Sequence, residues 1–411
     1  MRKRFLYAAV AAFLVVGGAS FLFGYAQTKD DYSESTEEKT VDGAIAFSEL
    51  EKCQGEFVCV NEKLRSYSVA VGPEKAIETL TSMMKSYPIL QTNCHGLYET
   101  IGRSVVGSVG LVPYYNSGCQ FGYTHGVLYA LGHEYDDIEA LIKDVMQYCR
   151  GFANDPNSMN GPDNACYHGL GHALADVTKN DPLKAVQKCE EAFEVYLEKD
   201  QDEKTGFAQR CVDGVFMQYG DGNLMKAGMM PKTSGDIDTY ADPATIVKTC
   251  QAIDKNLAAS CYLRIWKFLG PGSEDYAKTA EVCLDAPDPE SQNMCQIGFG
   301  ELVAWQTKIP NEIAWPPVVK QDSDAYAKIL VDLCYKHPIP VECVYGVMSS
   351  INSHLYSTGY EEELIPDFCS LVPKKDLEVC EKHETDTKNL NWDKTSGEGN
   401  KTGLQEDEPT K

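Results

Sequence analysis

The stretch Ile138-Glu-Ala-Leu-Ile-Lys-Asp-Val-Met-Gln-Tyr-Cys149 has the pattern of an amphipathic helix that ends at a cysteine, and Cys166-Tyr-His-Gly169 opens the next helix after a polar break. Its apolar residues recur at three- and four-residue intervals, which is the spacing of one helical face. The same order recurs along the chain, with one cysteine late in a helix and a second at the start of the next. This pattern predicts an all-α protein built from helical hairpins.

The sixteen cysteines fall into eight consecutive pairs. Thiols are normally oxidised outside the cytoplasm, and an even count leaves none necessarily free. Nearest-neighbour pairing, an inference from spacing, predicts the disulfides Cys53–Cys59, Cys94–Cys119, Cys149–Cys166, Cys189–Cys211, Cys250–Cys261, Cys283–Cys295, Cys334–Cys343 and Cys369–Cys380. Zinc clusters are the weaker interpretation, because the sequence contains no C-x-x-C pair.

Glycines follow most of the second cysteines at a distance of three residues. Positions i and i+3 lie on one helical face, so a glycine there lets a neighbouring helix come close to the cysteine. Glycine inside a helix costs about 1 kcal/mol relative to alanine, so its recurrence indicates close packing. The predicted helix-crossing glycines are Gly122, Gly169, Gly214, Gly298 and Gly346.

The spacing of the second cysteines indicates a repeat. From Cys119 onward they are separated by 47, 45, 50, 34, 48 and 37 residues, and helix-pair arrays have periods of about 34 to 47 residues. The prediction is a solenoid-like array of stapled helical hairpins. Its N-terminal Cys/His-rich part covers residues 46–180 and its C-terminal repeats cover residues 181–384.

The N-terminus has the features of a membrane segment. Met1-Arg-Lys-Arg4 precedes an apolar run over residues 5–26, and about 20 apolar residues suffice to cross a bilayer. The positive-inside rule then predicts an extracytoplasmic body. Residues 1–26 are therefore a signal anchor, with the membrane as a partner, or a signal peptide cleaved near Ala26, where small residues fit a peptidase site. Residues 27–45 are predicted to form an acidic flexible tether, and residues 385–411 a disordered polar tail.

The charge balance excludes one class of partner. Asp plus Glu total 61 and Lys plus Arg total 37, which gives a formal net charge of −24. Nucleic acids and anionic lipids reward positive surface. We therefore expect no nucleic-acid partner.

The histidines do not follow the repeat, because five of the eight lie between His95 and His172. On a helix, His95 faces the same way as Glu99, and His168 the same way as His172. His125 and His172 each follow their cysteine by six residues, so they occupy matching places on successive helices. Imidazole and carboxylate suit transition metals, so these five residues predict a site for Zn, Fe or Cu. The competing interpretation is a structural polar cluster that nearby tyrosines satisfy.

The elements Cys94-His95, Gly118-Cys-Gln-Phe-Gly-Tyr-Thr-His-Gly126 and Cys166-Tyr-His-Gly-Leu-Gly-His172 resemble those of a loose group of uncharacterised exported Cys/His-rich microbial proteins. Glu99 stands where that pattern has a second histidine, and the resemblance implies no known activity. The stapled helical pairs are also similar in architecture to secreted Sel1-like repeats, although the cysteine spacing differs.

Two functions remain open from the sequence. The first is an extracytoplasmic binding or scaffold module with a protein or peptide partner. The alternative is a metal-binding protein or metalloenzyme that uses the His/Glu cluster. The chain has no G-x-S-x-G, P-loop or dinucleotide-binding motif that would identify a catalytic class.

Overall fold

The computed structural model describes residues 43–87, 90, 93–109, 114, 116, 118–150, 162–179, 181–196, 201–226, 243–270, 275–307, 319–357 and 364–389. Within these residues the chain is helical and contains no β-strand. The α-helices are α1 Gly43–Glu51, α2 Phe57–Val71, α3 Pro73–Ser86, α4 Cys94–Val109, α5 Gly118–Glu134, α6 Ile138–Arg150, α7 Pro162–Val177, α8 Pro182–Tyr196, α9 Gln201–Lys226, α10 Pro243–Ala252, α11 Lys255–Arg264, α12 Trp266–Leu269, α13 Tyr276–Thr279, α14 Pro289–Gln306, α15 Lys320–Cys334, α16 Pro340–Ser357 and α17 Leu377–Asn389. In the described part of the chain, short 3₁₀ helices cover Ala280–Asp285, Cys369–Leu371 and Lys374–Asp376.

The longer helices pack on one another in chain order. Helix α2 contacts α4, and the contacts continue from α4 to α5, α7, α9, α11, α14 and α16. Helices α6, α8, α10 and α15 flank this row, each against the row helix that follows it in the chain. Most of the buried apolar side chains form one cluster that reaches from Leu50 to Leu302, and a second cluster follows from Val303 to Cys380.

The sequence of α6 shows why a flanking helix forms and what it buries. Its buried residues are Leu141, Ile142, Val145, Met146, Tyr148 and Cys149, which repeat at helical spacing along one face. Full burial of one such aliphatic side chain contributes about 1.5–3 kcal/mol. The buried face therefore ends at the cysteine that is joined to α7.

Eight disulfides join the cysteines in the predicted pairs. Their Cα–Cα distances lie between 5.4 and 5.8 Å, inside the range that a disulfide spans. No cysteine is free. Each staple closes a short segment, so it restricts the unfolded chain locally and contributes about 2–4 kcal/mol in the entropy model.

Asp-Pro pairs start two of the described helices. Asp288 accepts a hydrogen bond from the Ser291 amide at 2.9 Å at the start of α14, and Asp181 accepts one from the Lys184 amide at 3.1 Å at the start of α8. Such caps satisfy amides that have no partner inside the helix, and proline tolerates the first helical position.

Three predicted segments lie wholly or mainly outside the described residues. These are the membrane segment of residues 1–26, the tether of residues 27–45 and the tail of residues 385–411. Their edges need correction. Helix α1 begins at Gly43, inside the predicted tether, and α17 continues to Asn389, into the predicted tail. Among the helices that the structure describes, none is long and apolar enough to cross a membrane.

Candidate metal centre

The five residues that the sequence selected lie together where α4, α5 and α7 pack. Helix α4 carries His95 and Glu99, α5 carries His125, and α7 carries His168 and His172. The ring centroid of His125 lies 5.2 Å from that of His95, 5.1 Å from His168 and 5.4 Å from His172, and the last two rings are 4.9 Å apart. The four imidazoles therefore form one continuous group.

Glycines allow α4 and α5 to approach closely enough to form this group. A Cβ atom added at Gly126 would lie 2.1 Å from the carbonyl oxygen of Glu99, and one at Gly122 would lie 2.5 Å from the carbonyl oxygen of His95. Neither position has room for a side chain. The backbones consequently meet at the turns that carry His95, Glu99 and His125.

Three of the residues form a compact ligand set. His95 Nε2 lies 3.2 Å from Glu99 Oε1 and 3.5 Å from His125 Nδ1, and one ligand atom from each of the three lies within 4.8 Å of the others. Bonds of about 2.0–2.2 Å to a zinc-like ion place its ligand atoms at most about 4.4 Å apart. Small side-chain movements would therefore let these three residues bind one ion.

The orientation of His95 is fixed by the backbone of α5. Its Nδ1 lies 2.9 Å from the carbonyl oxygen of Cys119, and since a carbonyl only accepts, this nitrogen donates. The Cys94–Cys119 disulfide holds the two helix starts together. Cys119 also has a φ of 52°, a conformation that costs an L-residue about 1–2 kcal/mol. Nε2 of His95 faces Glu99 and His125, and its N–H donates to the ionised Glu99 carboxylate. This nitrogen can bind a metal ion once it has released that proton, and the carbonyl orients the ring as in metal sites whose ligand histidines are held by a backbone carbonyl.

The histidines of α7 are held in a similar way by α9. His168 Nδ1 lies 3.1 Å from Asp213 Oδ2, and His172 Nδ1 lies 2.9 Å from Gln218 Oε1. Both Nδ1 atoms donate in this arrangement. The two Nε2 atoms face each other at 3.1 Å, so two lone pairs would meet there unless a cation or a proton lies between them.

A carboxylate paired with an arginine lies at each end of the histidine group. Arg103 Nη2 lies 3.3 Å from Glu99 Oε2, and Arg264 contacts Asp213 through Nε at 2.6 Å and Nη2 at 3.0 Å. Burial alone would raise the pKa of Glu99, but the hydrogen bond with His95 and the charge of Arg103 lower it to about 2. Burial acts in the same direction on Asp213, and the charge of Arg264 outweighs it, so the pKa of Asp213 lies well below its usual value. Both carboxylates are ionised at neutral pH.

Two of the buried histidines are neutral at the same pH. Burial lowers the pKa of His172 to about 3, and the charge of His168 acts in the same direction. Burial and the neighbouring His168 also hold the pKa of His125 well below its usual value. A histidine must lose its second ring proton before it can bind a metal ion, so His125 and His172 are already in the form that binds.

The cluster is open to solvent at one end. The side chains of His95 and Glu99 are 31% and 22% exposed, whereas His125 and His172 are buried. An ion held by His95, Glu99 and His125 would therefore keep a position for water or a substrate atom. Catalytic metal sites commonly combine three protein ligands with such an open position.

Several residues of this centre were not selected from the sequence. Asp213 could have been found, because it follows Cys211 by two residues, as His168 follows Cys166, and the two cysteine-led turns cross. Gln218 and the carbonyl of Cys119 carry no such signal. Their roles depend on how α9 and α5 are rotated against their neighbours, which a single sequence does not state.

Three other described histidines lie apart from the cluster. His133 pairs with Asp176 at 3.1 Å. His337 faces Gln296, and His383 pairs with Glu342 at 3.1 Å. Their surroundings are those of individual polar contacts.

No protein-family model, no curated protein and no solved structure matches the chain. The function is therefore argued from the site alone.

Proposed function

We propose that this protein is an extracytoplasmic metal-binding protein whose centre is formed by His95, Glu99, His125, His168 and His172. The observation that carries the proposal is the direction of the Nε2 atoms. Three of the four rings donate through Nδ1 to a fixed oxygen, and their Nε2 atoms face other members of the cluster. Two neutral imidazoles, those of His125 and His172, in a cluster beside an ionised carboxylate are an arrangement that a bound cation stabilises.

The ligand types select the class of ion. Nitrogen and carboxylate oxygen suit Zn, Cu and Fe, and all the cysteines are engaged in disulfides, so no thiolate competes. Affinity for divalent ions generally rises toward copper and falls again at zinc. We expect Cu(II) to bind most tightly in vitro, with Zn(II) next.

The rest of the fold acts as the support of this centre. The packing of successive row helices, four of which are flanked by the helix that precedes them in the chain, is what a solenoid-like array would show. Eight disulfides are consistent with an extracytoplasmic location, where they would persist. The expected anchor or signal peptide of residues 1–26 would deliver the body there. Nothing in the described residues selects a protein or peptide partner, so that part of the scaffold hypothesis stays a prediction.

The proposal is tested by metal analysis of the oxidised full-length protein. The protein is treated with chelator, reloaded separately with Zn(II), Cu(II) or Fe(II), desalted, and measured by elemental mass spectrometry. We expect stoichiometric metal in the wild type and a loss of it in His125→Ala and His95→Ala. The second variant matters because His95 is partly exposed, so its removal leaves a smaller cavity than removal of the buried His125.

Matched controls are His133→Ala and His337→Gln, one exposed and one buried. Both should retain the metal content of the wild type. Wild-type protein that holds no metal after desalting, or a loss that is equal in the controls, would reject the proposal and leave the structural polar cluster as the interpretation.

A further inference from the structure

A cavity of about 400 Å³ lies between α9, α11 and α14, beside the histidine cluster. Its wall includes the buried side chain of Asp213, which contacts both His168 and Arg264. Among the described residues that line the cavity, none belongs to the proposed metal centre. Sites for small molecules commonly have volumes of about 300–1,000 Å³, so this cavity is large enough for a small organic ligand.

Two side chains at the cavity carry opposite charges and are not paired. Arg210 lies on α9 and Glu290 lies in the first turn of α14, and both are exposed. Within the described residues, neither side chain forms an ion pair or a hydrogen bond. The other polar groups of the wall are engaged, because Gln209 and Ser260 donate to backbone carbonyls and the Asp213 carboxylate accepts from two side chains. The cavity therefore offers one free cation and one free anion to a ligand.

These two charges match a ligand that is itself a zwitterion. An arginine guanidinium binds a carboxylate through parallel N–H donors. A glutamate carboxylate accepts hydrogen bonds from an ammonium group, which has three donors. A molecule that carries both groups would pair with Arg210 and Glu290 at the same time.

Part of the cavity wall is apolar. Leu263 of α11 and Met294 of α14 line it together with Phe207 of α9, and all three are partly buried. Methionine adapts its shape to the group that it meets. An apolar side chain of a ligand would be removed from water against these residues, while the charged groups of the ligand meet Arg210 and Glu290.

A glycine in the wall keeps the cavity open. A Cβ atom added at Gly206 of α9 would have no atom within 4 Å, whereas one added at Gly214 of the same helix would meet a backbone oxygen. Glycine inside a helix lowers stability relative to alanine, and packing gives no reason for it at Gly206. A ligand that occupies the space beside the helix would give that reason.

We propose that this cavity binds a free amino acid with an apolar side chain. Its carboxylate pairs with Arg210, its ammonium group pairs with Glu290, and its side chain lies against Leu263 and Met294. This site goes beyond the proposed function and needs no metal ion, because none of its contacts is a residue of the metal centre.

The test is calorimetry of L-leucine with the oxidised full-length protein in excess chelator. We expect one equivalent to bind with a dissociation constant below about 1 mM. Two analogues each lack one charge, since 4-methylpentanoate keeps only the carboxylate and 3-methylbutylamine keeps only the ammonium group. Each should bind at least about tenfold more weakly than leucine, because hydrogen bonds to a charged group are lost.

Variants then assign the two contacts. Arg210→Gln should weaken leucine binding at least about tenfold and leave the affinity for 3-methylbutylamine unchanged. Glu290→Gln should weaken leucine binding similarly and leave the affinity for 4-methylpentanoate unchanged. Both residues are exposed, so circular dichroism should show wild-type folding. The matched control is Lys255→Gln, which removes an exposed cation of α11 that does not line the cavity and should bind leucine as the wild type does.

The contrary outcomes are distinct. Absence of leucine binding, or equal binding of leucine and both analogues, would overturn the site. Weakening by Lys255→Gln as large as that by Arg210→Gln would overturn the contact with Arg210. Tighter binding of leucyl-leucine than of leucine would show that the cavity takes a peptide and would overturn the free amino acid as its ligand. Because chelator is present throughout, none of these results affects the metal analysis that tests the proposed function.

Discussion

The helix pair α7–α9 and the helix pair α14–α16 cross in the same way. A Cβ atom added at Gly214 of α9 would lie 1.9 Å from the carbonyl oxygen of His168, and one at Gly346 of α16 would lie 1.9 Å from the carbonyl oxygen of Ile297. Each helix carries a disulfide cysteine two or three residues before the crossing point. The backbone arrangement is therefore a repeated structural unit.

The side chains at the two crossings differ. The first pair places His168 against Asp213, and the second has Ile297 and Tyr345 at the same distances from their cysteines. Where α7 has His172, α14 has Glu301, which accepts from Arg264. The unit is thus independent of the histidines, which are an addition to one copy of it. This difference separates what the scaffold requires from what the site requires.

The largest expected effect tests whether the two crossings are equivalent. Gly214→Ala and Gly346→Ala each force a methyl group against a backbone oxygen, and overpacking of this kind costs about 1–3 kcal/mol, occasionally more. We expect similar losses in the free energy of unfolding for both variants, measured by circular dichroism in guanidinium chloride with the disulfides intact.

The matched control is Gly206→Ala, in the same helix as Gly214. No atom lies within 4 Å of a Cβ added at Gly206, and replacing an unconstrained helical glycine by alanine stabilises by about 0.5–1 kcal/mol. If Gly214→Ala or Gly346→Ala also gained stability, the close approach would not be a requirement of the fold.

The second effect distinguishes the two regions through the ion. A ligand present at 100 times its dissociation constant stabilises the folded state by about 2.7 kcal/mol. Zn(II) at that concentration should raise the free energy of unfolding of the wild type and of His337→Gln by the same amount. It should hardly raise the free energy of unfolding of His125→Ala. A Zn(II) response that survives in His125→Ala would place the ion elsewhere.

A third, smaller effect uses the two carboxylates that share Arg264. Asp213→Asn weakens the acceptor that holds His168, and changes to groups that orient metal ligands typically cost 10–100-fold in affinity. Glu301→Gln changes the other partner of Arg264 and leaves His168 untouched. We expect at least about tenfold weaker Zn(II) binding by calorimetry in the first variant and unchanged binding in the second. Equal weakening in both would mean that Arg264, rather than the contact with His168, supports the site.

Much of the fold follows from local features of the sequence. The disulfides join cysteines that are 6 to 25 residues apart, so their pairing depends on short segments. The glycines Gly214 and Gly346 follow their cysteines at fixed spacing, which is why the crossings could be predicted as well. The histidine pairs were placed by the geometry of a helix, since residues four apart share a face.

The remainder depends on tertiary arrangement. Gln218 reaches His172 from a helix whose rotation is set by packing, and the Cys119 carbonyl reaches His95 from a residue with a left-handed backbone conformation. The sequence does not indicate how a helix is rotated against its neighbours. It also does not indicate a left-handed conformation at a residue other than glycine. The acceptors that orient the rings were for this reason found only in the structure.

The smallest effect concerns His337, the buried histidine beside the second crossing. Burial lowers the pKa of His337 to about 4, and the nearby charge of Asp275 only partly opposes this. The ring is neutral in the folded protein, whereas in the unfolded chain it takes up a proton near pH 6.5. Between pH 6.5 and 4 the unfolded state therefore binds more protons, and stability falls as the pH falls. By pH 5.5 the loss from this residue is about 1 kcal/mol.

His337→Gln should remove that contribution. Unfolding of both proteins is measured from pH 7 to pH 5 with chelator present, so that the metal cluster contributes equally to each. The variant should show the smaller pH slope, and His133→Gln, which alters an exposed ring, should keep the slope of the wild type. Because the cluster histidines stay in place in every variant, a change in slope without a change in metal affinity would show that His337 serves the scaffold alone. A His337→Gln variant that lost metal binding would contradict this role and would count against the proposed metal centre.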